Sequence, residues 1–200
     1  MQYLTTLNTR PFLYFETKKI AELLNQGDSI EEMRSKVING NIFQLVSPDR
    51  SERFFNEIMK RLDFLDEYML KQFVSSDIDT AKAILLYAIL KKDALFYEWM
   101  RDIIFEKICI MDFYISKKET DHFFEIKSEQ SETVRNWSEK SKIKLRNNYH
   151  SVLREAGTLK NISNSTNERI SPIIVNPEVR AYLIGKKEKN IAEIALGEPL

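Results

Sequence analysis

Five glycines and five prolines are all that 200 residues offer for making turns. Ordinary proteins hold roughly 7% and 5% of these two residues. A β-sandwich or barrel needs a tight turn after every short strand, so this chain cannot be all-β. It must be built from helices that run long and stop on polar caps. Hydrophobic residues make up 43% and charged residues 30%, enough for a sizeable core and too apolar for global disorder. The length suits one domain or two small ones.

Most helix boundaries carry a named signal. Residues 16–25 set Ile20, Leu23 and Leu24 on one face, with Gly27 as a stop. Ser29 lies three residues before Glu32, a capping box, and the helix it opens ends at Asn39-Gly40-Asn41. Ser47-Pro48 is a cap followed by proline at the first helical position, where a missing N–H costs nothing. Asp66 and Asp77 can cap the next two helices. Residues 78–91 contain the apolar run Ala83–Leu90 and predict a central, buried helix. Asp93 opens a long segment reaching about Phe113, with Phe96, Trp99 and Cys109 read as core. Phe54, Phe55, Phe123 and Phe124 are read the same way. Ser116 and Glu119 form a second capping box. Residues 128–136 are polar and predict a loop.

The C-terminal third reads differently. Residues 138–156 form one helix, with Gly157 placed to end it. A short strand is expected near Thr158–Asn161, then a polar stretch to Arg169, then a β-branched strand from Ile170 to Val175. Asn176-Pro177 opens a last short helix through about Leu183, and residues 185–200 are expected to be loosely held. Helix, strand, polar tip, strand is the order of a winged helix.

Thirty Lys and Arg balance thirty Asp and Glu, and the isoelectric point is near 6.8. A basic coat for nucleic acid is therefore excluded, but a local patch is not. Residues 135–160 hold seven basic residues (Arg135, Lys140, Lys142, Lys144, Arg146, Arg154, Lys160) against Glu139 and Glu155, a local balance of +5. At 100° per residue, Leu145, Tyr149, Val152 and Ala156 share one stripe, with Leu153 beside it. Lys140, Lys144, Asn147, Ser151 and Arg154 share the opposite one. Lys142 and Arg146 flank the apolar side, where their stems can lie on apolar surface with the charge in water. Such a face suits phosphate contact driven by counterion release, with Asn147 and Ser151 able to bond phosphates or base edges. A plain solvated helix face is the alternative. Arg50, Arg53, Lys60 and Arg61 make a second basic cluster near a helix start, for which a ligand and a structural role are both open.

Other chemistries lack a pattern. His122 and His150 are the only histidines and have no metal-ligand spacing. No phosphate-cradling glycine motif and no nucleophile elbow occurs, and the acidic pairs read as helix starts or surface. No catalytic residues, metal or cofactor are expected. A single cysteine forms no intrachain disulfide and fits a reducing compartment. The N-terminus lacks the apolar core of a signal peptide, and Ala83–Leu90 is far shorter than the roughly 20 residues of a membrane span. A cytoplasmic protein without a membrane anchor is expected.

Several stretches resemble the BrxA proteins of the BREX bacteriophage-exclusion systems of bacteria. They are Phe15–Gly27, Asn41–Pro48, and Arg61-Leu62 with Leu65, then Trp137–Arg146, Leu153–Leu159 and Ile170–Leu183, from near residue 7 to near residue 185. The resemblance implies a small non-catalytic component of phage defence with a NusB-like helical part. Inner-membrane labels met in that family find no support in these apolar runs. We therefore expect a mainly α protein: a NusB-like bundle over 1–127 and a winged-helix-like region with a short hairpin over 128–200, able to pack as one unit. The expected role is a DNA-binding accessory subunit that meets double-stranded DNA, less readily RNA, and other BREX subunits. A protein-interaction scaffold that binds no nucleic acid is the alternative.

Overall fold

Polar caps set the helix ends in the structure, a computed structural model that describes residues 3–186 and 189–199. After a 3-10 turn at Thr6–Asn8, α1 runs Tyr14–Gln26 and stops on Gly27 at φ +90°, a backbone conformation that glycine adopts without strain. Helix α2, Ile30–Ile38, begins at the expected capping box: the Glu32 N–H donates to Ser29 Oγ at 3.2 Å, and the Ser29 N–H donates to the Glu32 carboxylate at 2.8 Å. Ser47 caps α3, Pro48–Leu62. Asp66 and Asp77 accept from Met69 and Thr80 at the starts of α4, Glu67–Ser75, and α5, Ile78–Lys92.

Helix α5 is the axis of the core. Its residues from Thr80 to Leu90, apart from the half-buried Lys82, are buried, and α3 and α4 pack around it. The helix from Asp93 breaks pattern in its middle. It runs as α6, Ala94–Trp99, widens into a π-helical stretch at Met100–Phe105, and closes as α7, Glu106–Cys109. It stops short of Phe113. Cys109 is exposed rather than in the core, because it falls in the last turn, away from the face that buries Ile104 and Ile108.

A short strand the sequence did not announce follows: β1, Tyr114–Ile115. Helix α8, Lys117–Gln130, starts at the Ser116–Glu119 box. Residues 128–136 are mostly helical rather than a loop, since α8 continues to Gln130 and α9 occupies Glu132–Arg135 with Val134 buried. Helix α10, Glu139–Ala156, leads into β2, Leu159–Asn161, and β3, Glu168–Ile170. The antiparallel sheet has the order β1-β3-β2, so one of its strands comes from before residue 128. The second hairpin strand ends at Ile170 rather than Val175, because Pro172 has no N–H to continue the ladder.

Helix α11, Pro177–Gly185, is capped by Asn176, whose own N–H donates to Thr80 of α5. Tyr182 and Lys186 both bond Asp66, the cap of α4. The described tail is held, contrary to expectation. Helix α12, Lys189–Leu196, lies on α5 and buries Ala192, Ile194, Ala195 and Leu196. One hydrophobic cluster runs through all these parts.

Candidate nucleic-acid interface

Helix α10 is built as its pattern requires. Ser138 accepts from the Ser141 N–H at the start, and Gly157 at φ +94° ends the helix. Leu145, Tyr149, Val152, Leu153 and Ala156 are all fully buried. Tyr149 sits among Phe96, Trp99 and Phe124, with ring centroids 4.9, 5.1 and 5.7 Å away. Its hydroxyl has no hydrogen-bond partner among the described residues, and burial pushes its pKa well above the ordinary phenol value.

The seven expected contact residues separate into two groups. Lys140 and Lys144 are exposed and make no ion pair among the described residues. Lys142 donates to Glu139 at 3.0 Å. Arg146 donates to both oxygens of Asp121 in α8, at 2.9 and 2.7 Å, and to Asn147 Oδ1 at 3.3 Å. Ser151 bonds Glu155 at 3.3 Å. Arg154 donates to the Glu168 carboxylate of β3 at 2.5 Å.

Glu168 belongs to a buried relay. The Trp99 indole N–H donates to Thr120 Oγ at 3.1 Å, Thr120 Oγ meets His150 Nε2 at 2.8 Å, and His150 Nδ1 meets Glu168. One neutral tautomer satisfies every member: Nδ1–H donates to the carboxylate, and Nε2 accepts the threonine proton. Burial raises the Glu168 pKa, but bonds from His150 and Arg154 outweigh it and hold the carboxyl below its ordinary value. Arg154 therefore fastens the hairpin to α10. On the outer face of the sheet, Tyr114, Arg169 and Lys160 stand opposite one another in register, all exposed.

The second basic cluster is divided by the fold. Arg61 is fully buried; it donates to Glu57 at 3.0 Å and to the Phe12 and Arg10 carbonyls at 2.9 and 2.6 Å. It is a structural clamp on the segment before α1. Lys60 is exposed. Arg50 and Arg53, on the first turns of α3, face Lys144 of α10 across a cleft of about 390 Å³. The N-terminal segment supplies Arg10 to the same cleft, a residue that sequence pattern did not single out. Asn8 and Asn148 brace the wall through a 3.4 Å bond, and Asn8 also bonds the Ser141 carbonyl at 3.2 Å. Among the described residues no carboxylate lines the cleft. Among the described residues, too, Arg10 Nε is buried without a partner, a deficit worth roughly 1–3 kcal/mol.

These features define a helical protein with a small hairpin-bearing sheet at one end and an open basic cleft, and no described helix is long and apolar enough to cross a membrane. A family model for BrxA matches residues 1–187. A curated relative, the BREX protein BrxA of Bacillus cereus (strain H3081.97), is 34% identical over 196 residues, 98% of this chain and 97% of that one. A crystal structure of an uncharacterized protein from Magnetospirillum magneticum shares the fold. Its TM-score is 0.81 at 17% identity, over 99% of this chain and 100% of that one. The chain belongs to the BrxA family.

Proposed function

We propose that this protein is a non-catalytic, cytoplasmic, DNA-binding component of a BREX phage-defence system. It meets duplex phosphates through Lys140 and Lys144, with Arg50 and Arg53 extending the surface. The observation that carries this reading is the pair of exposed lysines one turn apart on α10, free of carboxylates and beside further free cations. Free cations can release counterions on binding; Lys142, Arg146 and Arg154 would first have to leave their partners. The order α6–α7, β1, α8, α9, α10, β2, β3 with sheet order β1-β3-β2 supports a winged-helix-like layout for this end of the molecule.

A titration of labelled duplex by fluorescence anisotropy at two salt concentrations tests the reading. The wild type is expected to bind at low salt. Lys140→Gln with Lys144→Gln should weaken binding and flatten its salt slope by roughly one unit per lost contact. No binding at low salt would reject it. One feature favours a second reading, a scaffold for other BREX subunits: Ile110, Met111 and Tyr114 are 73%, 81% and 51% exposed after α7. Co-purification with the other system components, lost on Ile110→Asp with Met111→Asp, is the outcome that reading requires.

A further inference from the structure

The cleft between the N-terminal segment, the start of α3 and the first half of α10 holds four cations from three separate stretches of chain. Arg10, Arg50, Arg53 and Lys144 are gathered with no acidic residue among them. Like charges brought together by tertiary folding repel unless something offsets them, and none of the described lining residues carries a carboxylate. Asp49 and Glu52 of α3 lie outside the lining, and Glu52 is paired with Arg34 at 2.5 Å. The Arg50 guanidinium lies over the Phe54 ring, 5.1 Å from its centroid. Arg61 holds the Arg10 and Phe12 carbonyls, so the strap that carries Arg10 is itself pinned. The Arg10 guanidinium has no hydrogen bond or ion pair among the described residues, and its Nε is covered and unpartnered.

We propose that this cleft is a seat for one phosphate group, with Arg10 and Arg53 as its principal donors. Three guanidinium forks suit the several oxygens of a phosphate. A lone carboxylate would offset one charge of four. The group has two sources with one chemistry, a backbone phosphate of DNA or the phosphate of a free nucleotide. The seat rests on the DNA reading only for the choice between them.

Two measurements on the full-length protein test it. The first is thermal unfolding in inorganic phosphate, in adenosine monophosphate and in chloride at equal ionic strength. The second is duplex anisotropy across a salt series. Arg53→Gln is the main variant, because Arg53 is exposed and its one described hydrogen bond stays within its own helix; Arg10→Gln is the second, and Lys140→Gln, outside the cleft, is the control. The seat predicts that phosphate raises the melting temperature of the wild type and of Lys140→Gln but not of Arg53→Gln or Arg10→Gln. It also predicts that the duplex salt slope falls by about one unit in each cleft variant. Stabilisation by phosphate or the mononucleotide without duplex binding would support the seat and reject the DNA reading. Duplex binding with an unchanged slope in both cleft variants, and no phosphate-specific stabilisation, would overturn the seat and leave the DNA reading standing.

Discussion

Tyr149 places a hydroxyl in a ring cluster that gives it no acceptor. Removing such a group while keeping the ring is nearly neutral or stabilising. Tyr149→Phe is therefore expected to hold stability or raise it by about 1 kcal/mol in urea unfolding; a loss of that size would mean that the hydroxyl is satisfied. Glu168 behaves the opposite way, because both of its oxygens are engaged. Its native pKa is lowered, so on acidification the unfolded chain takes up the proton first. Its contribution is complete above the ordinary glutamate range, near pH 4.3, and fades as pH falls from there toward the native pKa. Glu168→Gln should cost about 2 kcal/mol at pH 7, a figure kept low because Arg154 is one-third exposed. Urea midpoints should also show a shallower acid limb than wild type. An acid limb identical to wild type would remove Glu168 from the account.

At the scale of elements, the ends of α10 carry a further prediction. Gly157 has φ +94°, and a Cβ placed there meets nothing within 4 Å. The cost of Gly157→Ala is then purely conformational, about 1–2 kcal/mol, with no change in fold by circular dichroism. Helices of this kind were legible because their signals are local: Ser29 with Glu32, Ser47 with Pro48, and Asp77 each act within three residues of chain. Strand β1 was not, since Tyr114-Ile115 is too short to show alternation and exists only because β3 pairs with it. The β-branched run after Ile170 misled for the converse reason. Its composition suits a strand, but Ser171 already bonds Thr158 and Pro172 ends the ladder. The tail misled because its anchor is distant. Ala192 and Ile194–Leu196 are buried by α5, more than 90 positions earlier in the chain, and no local pattern reports that.

For the molecule as a whole, net charge is zero, so any attraction for a polyanion must come from the cations the fold leaves unpaired. Sequence spacing made Lys140 and Lys144 visible, since residues four apart share a helix face. It could not show that Asp121 and Glu168 would take Arg146 and Arg154, nor that Arg10 would meet Arg53, because those pairings are tertiary. The fold thus limits the footprint. On the DNA reading, one phosphate seated in the cleft by Arg10, Arg50, Arg53 and Lys144 and a second met by Lys140 predict a slope of log affinity against log salt of about −1.8, at about −0.9 per phosphate. If Lys160 and Arg169 on the outer sheet face reach the same duplex, the slope steepens to about −3.6, and Lys160→Gln with Arg169→Gln should return it to about −1.8. A slope well beyond about −3.6 would require Lys142, Arg146 and Arg154 to abandon their carboxylates. Arg154→Gln would then flatten the slope as well as loosen the hairpin, whereas a purely structural Arg154 lowers stability and leaves the slope alone.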